Sequence, residues 1–546
     1  VVLGGVSLLA LVAAGPAARA QTLGPLIQVT GKSIFADCTA DRIASQPGTV
    51  YLNTEVEPNL AIDPADTSNL LFGVQQDRWN NGGSRGLRGG VSTDGGSTFT
   101  PTSTPGVTKC QGGPWPRSSD PWVTFSPDGT SYMSALVVKE SADPRKLASA
   151  SGQVVSQSKD GGMTWGPPIT LISDFDPNTL DDKNSITADP RNSSFVYTVW
   201  DRLTQFVDGY GVADEGSGGS QNGIMQGGND GTDLAHHMRD HARAVAAGKG
   251  TPNSKTLVIG PTYFSRTTNG GASWSLPKII WNPGSNSQTI ANQIVPLRKN
   301  RIADFFTELQ DNTNGQPSRI GSVVSDDHGG TWSSPNYAQS QVNNKATTPN
   351  MLQPIRSADV LFAIASDVQR GLVYLVWEDS RFTGDDEVAF AFSPDSGFEW
   401  TAPVRINQTP RNPAGGSGYF QQALIPTVAV AADGTAVVTY YDFRNDPVGA
   451  TSDNADFWAV SCNVFTSPDN CLSNGDWASE QRLTNTSFNF DYAPLTSSGR
   501  FLGDYMTMKS VGQTIYTIFG QSPKQNITNL YLRTLTIPTT TAVASK

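Results

Sequence analysis

Ser158-Lys159-Asp160-Gly161-Gly162-Met163-Thr164-Trp165 is the stretch whose reading decides the fold. Its chemistry is that of a tight hairpin turn. The Asp carboxylate accepts backbone N–H groups of its own turn, Gly supplies positive φ without steric cost, and the closing aromatic ring packs beneath. The pattern returns as Ser92 to Phe99, as Thr267 to Trp274 with Asn269 in the Asp place, as Ser325 to Trp332 and as Ser393 to Trp400. A single octapeptide of this kind would be noise. Five in one chain are an internal repeat, and a repeat governs the architecture before any other signal does.

A second pattern runs between these turns. Glu57-Pro58-Asn59-Leu60-Ala61-Ile62-Asp63-Pro64 leads on to Gln76-Asp77-Arg78-Trp79, and Asp120-Pro121-Trp122 leads to Ser126-Pro127-Asp128-Gly129. Asp182-Lys183-Asn184 leads to Asp189-Pro190 and then to Trp200-Asp201-Arg202. Later copies end in Trp377-Glu378-Asp379-Ser380-Arg381 and Tyr440-Tyr441-Asp442-Phe443-Arg444, and weaker ones start near Gln293 and at Gly503-Asp504-Tyr505. Each unit reads as four antiparallel strands, with the octapeptide joining the third to the fourth. About seven starts imply an all-β fold, a β-propeller of six or seven four-stranded blades, with seven fitting the count better.

The repeat is expected over residues 55–538, after a truncated signal peptide at 1–20 and an N-terminal segment at 21–54, with a tail at 539–546. A Gly-rich insertion at 203–255 interrupts it and carries His236, His237 and His241. The last two have metal-ligand spacing, but with no Glu between them and a Gly-rich approach they read as a solvated loop helix, and no metal is assigned. A net charge of −11 argues against a nucleic-acid partner, because phosphates need a basic face. No stretch after residue 20 is apolar for long enough to span a bilayer as a helix. A secreted monomer is expected, with no cofactor and with a structural calcium ion left open. Four cysteines allow three pairings; export, and the closeness of Cys462 to Cys471, favour Cys462–Cys471 and Cys38–Cys110.

Strand alternation turns the repeat into a map. The octapeptides share one face with the turns at Asp63-Pro64, Asp128-Gly129, Asp189-Pro190 and Asp433-Gly434, so the starts of first strands and the ends of second strands share the other. Glu57, Arg78, Arg117, Asp120, Arg202, Arg381, Arg444, Arg500 and Asp504 are therefore expected around one mouth, with Trp79, Trp200, Trp377, Tyr441 and Tyr505 at the same ends. Arginines and carboxyl groups converging on a concave mouth suit a charged or hydroxyl-rich ligand, and the rings suit stacking on sugars. The same groups also read as Asp–Arg pairs that tie neighbouring blades.

These octapeptides, the strand pattern and the Arg-rich mouth resemble the sialidase (neuraminidase) superfamily over about Glu55 to Arg533, and in particular secreted bacterial exo-α-sialidase-like proteins with BNR, or Asp-box, repeats. The resemblance implies a glycoside hydrolase acting on an acidic sugar, with a carbohydrate as partner. Three arginines would hold the sugar carboxylate, a Tyr activated by a Glu would attack the anomeric carbon, and an Asp would handle the proton. Carried onto this chain, Arg78, Arg202, Arg381, Arg444 and Arg500 are candidates for substrate binding. Asp120, Tyr505, Glu57 and Asp504 are candidates for catalysis, with Tyr441 as a second nucleophile and Glu378 as a second base. The Arg-Ile-Pro that supplies the first arginine of such sialidases is absent. A hydrolase or lyase for uronic-acid polysaccharide and a non-catalytic carbohydrate- or protein-binding propeller are the alternatives.

Overall fold

The computed structural model describes residues 21–143, 145–207, 256–310, 317–410 and 422–539. The signal peptide, most of the insertion with its three histidines, and all but the first residue of the tail lie outside those residues.

Among the described residues the strands fall into consecutive four-stranded antiparallel runs, as the hairpin turns dictate. The first run is Glu55–Ile62, Leu70–Arg78, Ser84–Ser92 and Thr100–Ser103. Comparable runs begin with Arg117–Phe125, Thr179–Ala188, Ser287–Pro296, Phe362–Asp367, Ala423–Val430 and Thr507–Val511. In the last run the outer strand is Thr22–Leu23, paired antiparallel with Ile527–Thr536, so the two ends of the chain close one sheet together. The result is an all-β fold of consecutive antiparallel sheets.

No single core holds these sheets. Each apolar cluster lies between two neighbours instead. Ala61, Leu71 and Val91 of the first run pack with Val123, Met133 and Val154 of the second. Tyr374, Val376 and Phe390 of the fifth pack with Val428, Val438 and Tyr440 of the sixth. Leu60, Phe72 and Val74 of the first pack with Ile518, Leu530 and Leu532 of the last, so the order of packing returns to its start. A sheet covered on both faces has no solvent side, which is why second strands such as Leu372–Asp379 are buried along their whole length and show no period of two.

The octapeptide turns behave as their chemistry requires. Asp160 Oδ1 accepts the Thr164 N–H at 2.8 Å and the Ser158 hydroxyl at 2.8 Å, and Asp327 repeats both bonds with Thr331 and Ser325. Strand residues of one run reach the octapeptide turn of the next: Thr102 donates to Met163 O, Arg266 to Asp327 O, and Asn336 to Gly397 O. Cys38 is joined to Cys110 and Cys462 to Cys471.

A feature that periodicity did not reveal is set into the innermost strands. Glu57, Asp120, Lys183, Ala291, Ala358 and Ile425 all have left-handed backbones, with φ between 47° and 63°, and Gly503 takes the corresponding place with φ 138°. In five of the strands the pairing register breaks at this point, between Val56 and Asn59, Ser119 and Trp122, Asp182 and Ser185, Ile290 and Gln293, and Leu424 and Thr427. These are β-bulges, which bend a strand and re-aim its side chains, and a non-Gly residue held left-handed stores about 1–3 kcal/mol of strain. The repeated bulge is what positions the site.

Candidate functional site

Three bulge residues carry charge, and they meet. The Lys183 ammonium is in direct contact with Asp504 Oδ2, 3.7 Å from Glu57 Oε1 and 3.8 Å from Asp120 Oδ2. Arg356 grips the other side of Asp504, from Nε to Oδ1 at 2.8 Å and from Nη2 to Oδ2 at 2.5 Å. Gln75 donates to Glu57 and accepts from Arg78 Nη1 at 3.1 Å. The Arg78 and Arg356 guanidinium carbons lie 5.2 and 4.4 Å from the centre of the same Phe501 ring.

The carboxyl groups of this cluster are driven apart in acidity. Burial, followed by the Asp120 charge, pushes Glu57 well above the usual carboxyl range. Burial acts the same way on Asp504, but the Arg356 and Lys183 charges outweigh it and hold that carboxyl well below its ordinary value. Glu57 is therefore biased toward its protonated form and Asp504 toward its ionised form, which is the division an acid–base pair needs. Burial and the charges of Asp120, Glu57 and Asp504 raise the Tyr505 phenol well above its usual range. Its ring lies 5.6 Å from that of Trp122, and among the described residues neither Tyr505 Oη nor Asp120 Oδ2 has a hydrogen-bond partner.

Asp120, Lys183 and Tyr505 also form part of the wall of a cavity of about 100 Å³ that runs along the axis between the innermost strands. Among the other lining residues Ala291 is itself a bulge residue, while Asn59, Gln293, Ile364, Val428 and Lys509 lie beyond the left-handed position in their own strands. The cavity is smaller than the roughly 300–1,000 Å³ of pockets that enclose a whole ligand.

The arginine readings need correction. Arg202 is bidentate to Asp174 at 2.8 and 2.7 Å, Arg381 to Asp379 at 2.8 and 2.8 Å, and Arg444 holds Asp442 and Glu480 at 2.5 Å each. Arg500 donates to the Ala493 carbonyl, and Arg117 lies 4.0 Å from the Trp79 ring centre. These groups are taken up elsewhere: Arg202, Arg381 and Arg444 by carboxylates, Arg500 by a backbone carbonyl, and Arg117 by Gln46, Asn81 and the Gly82 carbonyl. Of the five proposed for substrate binding, only Arg78 belongs to the centre. Tyr441 is also out of place: its hydroxyl donates to Gly520 O at 2.8 Å and accepts from Gly520 N at 3.1 Å inside the core. Glu378 accepts from Ser357 Oγ and from the Ile425 N–H, both at 2.7 Å, and so braces a bulge.

Lys183 and Arg356 are the members that sequence reasoning missed. Lys183 stood in the repeat at the place of Glu57 and Asp120, and that alignment was the available signal. Arg356 lies in an irregular approach to its strand and announces itself by no motif.

Comparison with known proteins gives a partial likeness. No curated protein matches the sequence. Solved structures with a similar course of chain include a protein of unknown function from Dyadobacter fermentans, 13% identical with a TM-score of 0.45 over 94% of this chain and 99% of that one. A mutant NanB sialidase from Streptococcus pneumoniae is 12% identical, with a TM-score of 0.39 over 94% and 98%. An α-L-arabinanase from Penicillium chrysogenum is 10% identical, with a TM-score of 0.40 over 94% and 99%. Residues 261–458 match the family described as BNR repeat-like domain, a stretch that holds Ala291, Ala358, Ile425 and Arg356 but not Glu57, Asp120, Lys183 or Asp504. Over that stretch the chain is similar to a BNR repeat-like domain, and three of its octapeptide turns fall there.

Proposed function

We propose that the chain is a secreted glycoside hydrolase of sialidase-like type, a seven-bladed propeller whose reaction centre is Glu57, Asp120, Asp504 and Tyr505. The observation that carries this reading is the meeting of three carboxyl groups around one ammonium, with Glu57 pushed toward its protonated form and Asp504 toward its ionised form. In this reading Glu57 gives its proton to the glycosidic oxygen as that bond to the anomeric carbon breaks. Tyr505 Oη forms the new bond to the anomeric carbon and passes its proton to Asp120. Water then displaces the tyrosine, giving one proton to Glu57 and keeping the other on the new sugar hydroxyl, while Asp120 returns its proton to the phenol oxygen. An acidic sugar is the first substrate class, met by Arg78 and by hydroxyl contacts, since Arg202, Arg381 and Arg444 are taken up by their neighbours.

The test is hydrolysis of sialosides, uronic-acid polysaccharides and neutral glycosides by the purified protein, repeated with Tyr505→Phe and Glu57→Gln. Loss of turnover in both variants with folding intact is expected, and full activity in Tyr505→Phe excludes it as the nucleophile. A second reading, a non-catalytic glycan-binding propeller, is favoured by the burial of the centre: Glu57 and Arg78 are 1% exposed and Asp504 3%. Glycan binding without turnover across that panel selects it.

A further inference from the structure

We propose that Lys183 is the positioning residue of this centre, an ammonium that a β-bulge holds among Glu57, Asp120 and Asp504 and that sets which of the three carries a proton. The proposal rests on the hydrolase reading for its kinetic consequences and on geometry for its existence. Lys183 is 4% exposed and its backbone φ is 47°, so the strand keeps a strained conformation that delivers this side chain to the axis. Its three carboxyl partners come from three different parts of the chain, the first strands of the first and second runs and the approach to the last. One cation is therefore shared by groups that would otherwise repel one another in a poorly solvated space.

The neighbouring charges fix the direction of the effect. Asp182 precedes Lys183 in its strand, and Asp201, on the strand beside it, is buried and feels both Asp182 and the Lys183 charge. Arg78 acts on Glu57, and Arg356 acts on Asp504. Tyr505 faces the same carboxyl groups. With Lys183 neutralised, Arg356 still holds Asp504, while Asp120 loses the cation 3.8 Å from its Oδ2. The carboxyl groups then take up protons at higher pH than before, and the phenol faces a more negative surrounding.

The experiment compares Lys183→Met and Lys183→Arg with the unaltered protein by two independent readouts. Infrared titration of the buried carboxyl bands needs no substrate, and Lys183→Met is expected to move a carboxyl titration upward by about 1–3 pH units, the effect of removing an opposite charge at this range. On a hydrolysed glycoside, kcat falls by about 10²-fold with KM within about 3-fold, the acid limb of the rate profile moves the same way, and Lys183→Arg restores that limb. If Lys183→Met does not fold, the double variant Glu57→Gln/Lys183→Met removes a carboxylate together with the cation and is titrated in its place. Unmoved infrared bands overturn the proposal whether or not any glycoside is cleaved. Moved bands with no turnover of any glycoside uphold Lys183 and reject the hydrolase reading instead.

Discussion

At the same left-handed position, three runs present Glu57, Asp120 and Lys183 while three others present Ala291, Ala358 and Ile425. The backbones agree to within 16° in φ, since the six values run from 47° to 63°. The side chains could hardly differ more. The charged half forms an ion cluster on the axis; the other half offers methyl groups, and Ile425 belongs to an apolar cluster with Leu424 and Tyr441. The recognisable repeat family covers the second half and stops short of the first. Repetition therefore fixes where a side chain is delivered, and the individual residue fixes what arrives there.

The largest expected effect breaks the charged half. Asp504→Asn leaves Lys183 and Arg356 buried beside a neutral amide, and removing one partner of a buried ion pair costs about 3–5 kcal/mol. Ile425→Val, at a bulge in the apolar half, costs about 0.5–1.5 kcal/mol. Urea unfolding of both variants measures the contrast, and equal losses would mean that the ion cluster is no more critical than ordinary packing.

A backbone comparison comes next in size. Gly503 has φ 138°, and a Cβ there would stand 2.7 Å from the Glu57 nitrogen, so Gly503→Ala should cost about 1–3 kcal/mol. Ala358→Gly places a permissive residue in a left-handed site, which relieves strain while raising the entropy lost on folding, and should stay within about 1 kcal/mol of neutral. The same unfolding assay checks both.

These contrasts also explain what was legible in the sequence. The octapeptide turns were readable because each is made by residues a few places apart, Asp160 with Thr164 and Ser158. The bulges were not, because a register break is a property of two strands and leaves no mark in one. The arginines admitted two readings, a ligand mouth and local Asp–Arg pairs, and the spacing already leaned toward the second. Asp379 and Arg381, like Asp442 and Arg444, are two residues apart, close enough for each pair to close on itself, and both do. A repeated Asp-x-Arg is better read as a local ion pair than as half of a distant site. The centre needed Arg356 and Lys183, which come from separate runs and meet Asp504 only once the ring is assembled.

A milder effect separates the charged half by its response to pH. Burial pushes Glu55 up to about 8 from an ordinary value of 4.5, although it accepts hydrogen bonds from Gln76 at 2.7 Å and Thr30 at 2.9 Å. A carboxyl group with a raised folded-state pKa contributes stability that is complete below about 4.5 and is lost as pH rises through about 8. Glu55→Gln should remove that dependence, so the variant gains on the parent protein steadily across this window. Thermal midpoints taken at pH 5 and pH 8.5 by about the same protocol would expose a constant difference, which would sink the linkage.

The smallest effect lies on the opposite face, and nature has already performed half of it. Asn269 occupies the Asp place of one octapeptide, where its Oδ1 accepts the Ser273 N–H at 2.9 Å and its Nδ2 donates to Ser273 Oγ at 2.8 Å. Asp327 makes the equivalent bonds to Thr331, at 2.8 Å from the N–H and 2.9 Å from the hydroxyl. Asp327→Asn keeps the acceptor for the backbone N–H and needs only a rotation of the Thr331 hydroxyl, so the change at neutral pH should stay within the roughly ±0.5 kcal/mol of surface substitutions. What it removes is charge. The Thr331 N–H, joined by the Ser325 and Thr331 hydroxyls, holds the Asp327 carboxyl down at about 2. A depressed carboxyl group contributes stability that is present above its unfolded value of 3.8 and lost as pH falls toward about 2. The gap between parent and variant should accordingly be small at pH 6 and close as the solution is acidified to about pH 2, as followed by thermal midpoints. A gap that widens in acid would mean that the turn depends on the geometry of the Asp side chain and not on its charge, and the Asn269 turn would then have to be held by some contact other than the two it shares with its neighbours.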